Sequence, residues 1–153
     1  MKTPRRHLFT IIGLATAYLL LAPALQAAGS TESVQVILVD ASNAEGGVDG
    51  ALRPYAGPLQ RLFRFKSYQQ LARRSFKLEV PGEGSVELPG GQRLVLKAGE
   101  RKGPGFVAEL TWSRGNTRLL HTRIQLRPGN PAVLGGPASG RDGGNYLLIL
   151  EIQ

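Results

Sequence analysis

The sequence predicts a mainly β (α+β) fold: an antiparallel β-sandwich or barrel of about seven or eight strands with one short helix after the first strand. Three observations carry this expectation. Apolar and polar residues alternate with period two through most of the chain after residue 67, turn signals recur at spacings of about ten residues, and a single stretch shows helical spacing. One helix cannot supply the crossovers of a doubly wound α/β fold, and the later strands are joined by hairpin turns.

The first 27 residues read as a secretory signal peptide, which leaves residues 28–153 as a single β-rich domain. Lys2, Arg5 and Arg6 precede an uncharged apolar run from Leu8 to Leu21, and small residues follow at "APALQAA". The cut is placed after Ala27, with cuts after Ala24 or Gly29 as alternatives. The run is shorter than the ~20 residues of a spanning helix, which favours removal over retention as an anchor. Arg5 and Arg6 before His7, Leu8 and Phe9 also match a loose twin-arginine pattern, although a Sec-type signal accounts for the same residues. The expected location is the periplasm or the cell exterior, with no transmembrane segment after signal removal.

Within the domain, "SVQVILVD" from Ser33 to Asp40 is a β-branched run expected as a strand buried on both faces, and "ASNAEGGVDG" breaks it. Asp49 is placed to cap a helix in which Leu52, Tyr55, Leu59, Leu62 and Phe63 recur every three or four residues. Pro54 suits its first turn, while Gly57 and Pro58 leave open a start at Pro58. "SYQQLARRS", residues 67–75, fits the first half of a long bent strand or a continuation of the helix. Phe76, Leu78 and Val80 then alternate with Lys77 and Glu79 until "PGEG" ends the strand. Hairpins follow: Val86 and Leu88, the turn "PGG", then Leu94 and Leu96. Phe106, Ala108, Leu110 and Trp112 share one face of the next strand. After "SRGN", Leu120, Thr122, Ile124 and Leu126 face inward while His121, Arg123, Gln125 and Arg127 face out. "YLLILEI", Tyr146 to Ile152, is apolar on both faces and is expected in the middle of a sheet.

The chain has no cysteine, which excludes a lipoprotein anchor, disulfides, iron–sulfur clusters and thiol catalysis. The glycine-rich stretch "LGGPASGRDGGN", Leu134 to Asn145, echoes the phosphate-binding loop G-x-x-x-x-G-K-[ST] only in Gly135 and Gly140. Arg141 follows where lysine belongs, and Asp142 brings negative charge where a hydroxyl should hold magnesium. Such a loop must open a helix, whereas the 13 residues after Gly140 read as turn and strand. A long hairpin connection is expected instead, with Gly143, Gly144 and Asn145 supplying positive φ and Asp142 capping a turn. No nucleotide partner follows. "GPASG" misses the spacing of a serine elbow, and His121 lies on an outward face beside Arg123. Glu79 and Glu87 sit at outward strand positions and Glu83 in a turn, as solvated charges rather than a glycosidase pair. Asp40, Glu45 and Asp49 are too loosely spaced for a calcium loop. These readings leave no catalytic residue, no metal site and no cofactor, and the chain is not expected to be an enzyme.

Charge supplies the one positive signal. Three of the 19 bases lie in the leader, so the domain carries 16 bases against all 11 acids, and the excess is concentrated. From Gly50 to Leu78 there are seven bases and no acid. Arg61, Arg64, Lys66, Arg73, Arg74 and Lys77 are the candidate anion-binding residues, interleaved with Tyr55, Phe63, Phe65, Tyr68 and Phe76. Arginines pair with phosphates and aromatic rings stack, so lipopolysaccharide or anionic lipid would suit them. Helical and strand spacing assigns most of those rings to the core, which favours a solvated basic face.

The order of "VQVILV", "LQRLFRF", "SVELPGGQRLVL" and the ending "AVLGGP…DGGNYLLILEI" resembles an uncharacterised family of small exported bacterial proteins. The resemblance implies a small β-rich envelope protein and carries over no catalytic residue. The function expected is a non-catalytic envelope module that binds a protein partner through loops or an exposed strand edge, as an accessory to a secretion or surface assembly. The alternatives are a polyanion or membrane-surface binder using the basic 53–77 stretch, and an enzyme of unrecognised type.

Overall fold

The computed structural model describes residues 29–153; the expected signal peptide lies outside the described residues. β1 (Ser30–Ser42), β2 (Gly47–Val48), β3 (Ser67–Val80), β8 (Ala132–Ala138) and β9 (Asn145–Ile152) form a five-stranded sheet in the order β2-β3-β1-β9-β8. β4 (Gly82–Leu88), β5 (Gln92–Lys102), β6 (Gly105–Arg114) and β7 (Thr117–Leu126) form a four-stranded meander. Every pairing is antiparallel except the short one between β2 and β3. The sheets stack as a sandwich and do not close into a barrel. A 3-10 segment (Gly50–Tyr55) and α1 (Ala56–Leu62) make a third layer on the outer face of the five-stranded sheet.

Three layers explain why two strands are apolar throughout. On β1, Val34, Val36 and Leu38 enter the core between the sheets, while Ile37, Val39 and Ala41 enter a second core under the helix. β9 divides in the same way, with Leu148, Leu150 and Ile152 on the inter-sheet side and Leu147 and Ile149 on the helix side. Both strands lie inside the sheet, as their unbroken hydrophobicity requires. The four-stranded sheet buries one face only, and its strands alternate accordingly.

The helix is set by Asp49, whose Oδ1 accepts the Ala51 N–H at 3.0 Å. Its Oδ2 accepts the Gln70 N–H at 3.2 Å, which ties the cap to β3. The first turns are 3-10 around Pro54, and the α-helical hydrogen bonds begin only at Ala56. Leu52, Tyr55 and Leu59 are buried as expected. Leu62 is not. The helix ends there, Phe63 turns to extended backbone (φ −130°, ψ 144°), and its partly buried ring packs against the helix-side core as expected.

Residues 67–75 are strand, the first half of the 14-residue β3. A bulge leaves Leu71 without a partner on β1, because Leu38 pairs with Ala72 and Val39 with Gln70. The extra residue inverts the alternation: Tyr68 faces the helix, whereas Ala72, Phe76, Leu78 and Val80 face the other sheet.

Three expectations are corrected. "PGEG" joins β3 to β4 with almost no intervening turn, so Glu83 is a strand residue opposite Lys97. "AVLGGPA" is β8, which with the short β2 raises the count to nine strands among the described residues. The glycine connection therefore shortens to residues 139–144, and positive φ falls on Gly140, Asp142 and Gly143 instead of Gly144 and Asn145. Gly144 is needed for closeness rather than φ, since a Cβ there would strike Ala41 O. Asp142 does not cap the turn; it occupies the left-handed region itself (φ 40°), and its carbonyl accepts the Asn43 N–H at 3.4 Å.

Candidate functional site

The six candidate bases do not form one pocket. Arg61 lies in α1, and Arg64 and Lys66 in the link to β3. On β3, Arg73 is opposite Ile37 and Lys77 opposite Ser33, on the helix-bearing face. Arg74 is opposite Val36, on the inter-sheet face. At ~3.3 Å per residue, Ser67 and Lys77 are about 33 Å apart along the strand. Three of the six are engaged within the protein, Arg74 only through Nη1, which donates to Arg73 O at 3.1 Å. Lys66 Nζ is 3.1 Å from Glu45 Oε1. Arg73 donates from Nη1 to Gln35 Oε1 (3.1 Å), from Nη2 to Ala51 O (3.0 Å), and from Nε and Nη2 to Gln70 Oε1. Arg61, Arg64, Arg74 and Lys77 make no ion pair among the described residues. The interleaved aromatics are core: Tyr55 and Tyr68 are buried, Phe63 and Phe65 pack under the helix, and Phe76 packs between the sheets.

Arg73 belongs to a polar network that sequence reading missed. The Tyr55 hydroxyl donates to Glu151 Oε2 at 2.6 Å, and Gln35, between Tyr55 and Arg73, joins them across the face of β1. These residues are far apart in the chain, so no local spacing announces them. Burial, followed by the bond to the Glu151 carboxylate, pushes the Tyr55 phenol from 10.0 up to about 12. Folding therefore favours the protonated phenol. Its contribution is fully present below pH 10 and is lost as the pH rises through about 12. Tyr55→Phe is expected to cost about 1–2 kcal/mol at neutral pH, for the lost bond to a charged acceptor. In urea unfolding, the gap between wild type and variant should narrow steadily above pH 10.

The strand edges differ in how they are guarded. β2 is two residues long, β4 is joined to β3 through Pro81 alone, and β8 carries Gly135, Gly136, Pro137 and a bulge. β7 is a ten-residue edge with neither proline nor glycine; it carries one bulge, at Leu119 near its start, and no strand pairs with its outer side among the described residues. It presents Arg118, His121 and Arg123. His121 Nδ1 lies 3.0 Å from Thr111 Oγ1, on the outward face where alternation places it. Across the exposed face, Glu83 is opposite Lys97, Lys97 opposite Glu109, and Glu109 opposite Arg123. This row of alternating sign ends, positive, at the free edge, with Arg123 Nη2 at 3.2 Å from Glu109 Oε1. An open depression of about 460 Å³ lies beside it, lined by Lys97, Gly99, Lys102, Val107, Glu109 and Arg123.

Asp40, Glu45 and Asp49 each have a different partner. Glu45 meets Lys66, Asp49 caps the helix, and Asp40 is buried with Oδ2 3.9 Å from Arg141 Nε. Among the described residues, no three His, Cys, Asp or Glu side chains converge on a possible metal position, and no helix is long and apolar enough to cross a membrane. No family model matches the chain, and no curated protein or solved structure matches it.

Proposed function

We propose that the chain is a non-catalytic exported envelope module that binds a protein partner by strand addition along β7. The observation that supports this reading is the open ten-residue edge of β7 combined with the charge row that stops at Arg123. A fifth strand would satisfy the free backbone groups of β7, and a carboxylate on it opposite Arg123 would continue the alternation. The partner is thus an extended segment with acidic residues on one face. Such a mode suits an accessory of a secretion or surface assembly, and the reading of the first 27 residues as an export signal supplies the location.

The test uses residues 28–153 as bait in envelope extract, comparing wild type with Arg118→Glu/Arg123→Glu. A partner retained by wild type should be lost about tenfold or more by the variant, with the thermal midpoint nearly unchanged. A partner retained equally by both, or lost only with Arg61→Ser/Arg64→Ser, contradicts strand addition at β7.

A further inference from the structure

The end of α1 carries an apolar knob inside a basic rim. Leu62 is 59% exposed, more than any other large apolar side chain among the described residues. Arg61 precedes it and Arg64 follows it; both are exposed, and neither makes an ion pair among the described residues. Phe63 and Phe65 pack into the core under the helix, so the backbone presenting Leu62 is fastened to the sheet. The Phe63 carbonyl also accepts the buried Tyr68 hydroxyl at 2.8 Å. Lys66, two residues beyond Arg64, is paired with Glu45, and no acid occurs between Gly50 and Leu78.

We infer that this tip docks the protein on an anionic phospholipid surface, with Leu62 entering the boundary between headgroups and acyl chains and Arg61 and Arg64 meeting lipid phosphates. A soluble polyanion would engage the arginines and leave Leu62 in water. The membrane interface accommodates both kinds of side chain at once. Each arginine at the surface is worth about fivefold in partitioning, and a buried leucine about tenfold, so the docking is weak and reversible. It does not depend on the β7 edge: α1 covers the outer face of the five-stranded sheet, whereas β7 ends the other sheet.

Residues 28–153 include every described strand and both cores, so this stretch is the test protein. It is sedimented with vesicles of phosphatidylglycerol and phosphatidylcholine, and with phosphatidylcholine alone, at low and high salt. Binding is expected only with phosphatidylglycerol, weaker at high salt, reduced about tenfold by Leu62→Ser and about 25-fold by Arg61→Ser/Arg64→Ser. Heparin binding, if present, should ignore Leu62→Ser. The chain has one tryptophan, Trp112, fully buried, so Leu62→Trp adds an indole whose emission reports on the tip alone. Its emission should shift to shorter wavelength on anionic vesicles. The inference is overturned if wild type does not bind those vesicles or binds phosphatidylcholine equally well. It is also overturned if Leu62→Ser binds like wild type, if the indole emission does not move, or if lipopolysaccharide alone is bound. Self-association that Leu62→Ser abolishes would assign the knob to a second copy and overturn it too.

Discussion

Trp112→Ala is expected to lower stability by about 3–5 kcal/mol and the thermal midpoint by about 10–20 °C. Trp112 is the largest fully buried side chain, on the inner face of β6 with Phe106, Ala108 and Leu110. Its loss leaves a cavity that the two facing sheets cannot readily close, because Trp112 is flanked by paired residues on both sides, Leu94 on β5 and Leu120 on β7. A second cost is polar. The indole Nε1 donates to Gln92 Oε1 at 2.9 Å, and Gln92 Nε2 donates to Pro89 O at 3.1 Å, so the alanine variant strands a buried acceptor. Trp112→Phe keeps part of the volume and should cost roughly half as much. Urea unfolding of the three proteins checks both figures. The residue opposite Trp112 on β7 is Leu120, so the same substitution should loosen the edge proposed to receive a partner.

Gly136→Ala is expected to cost about 3 kcal/mol, a large effect for a single methyl group. A Cβ on Gly136 would clash with the far edge of the Trp112 six-membered ring and lie 2.9 Å from Tyr146 O. The ring is packed on all sides and the carbonyl belongs to β9, so neither can retreat without disturbing a core or a sheet. Glycine is required here by close approach, not by φ, since Gly136 is in the extended strand β8. Phenylalanine lacks the ring atoms that the new methyl group would strike. Combining Gly136→Ala with Trp112→Phe should therefore be less damaging than the sum of the two by about 1–2 kcal/mol. Simple additivity would show that the glycine is not there for the indole.

What the sequence conveyed was whatever depends on local alternation. The doubly buried runs of β1 and β9, the inner faces of β5, β6 and β7, and the core placement of the aromatics follow directly from period and composition. What it obscured depends on a break in period or on distant partners. The Leu71 bulge puts Tyr68 and Phe76 on opposite faces although they are an even number of residues apart, which is why residues 67–75 fit strand and helix equally well. Glycine and proline in "AVLGGPA" signal a turn, yet Gly136 serves a strand that must pass against an indole. The basic stretch was legible as charge, but the same bulge decides which of its members share a face, and the Arg73 bonds to Gln35 and Ala51 need the folded sheet. The β7 alternation was legible as well. Its position at the edge was not, because sheet order is a property of the whole domain.

Strand addition at β7 is tested most directly by hydrogen exchange of its backbone amides, with and without a partner captured from envelope extract. In the free protein, the amides of Thr117–Leu126 that point away from β6 should exchange rapidly, and partner binding should slow them about a hundredfold while the β8 edge stays unchanged. Protection that appears only in the 139–144 connection or along β3, with β7 exchanging as before, would contradict it.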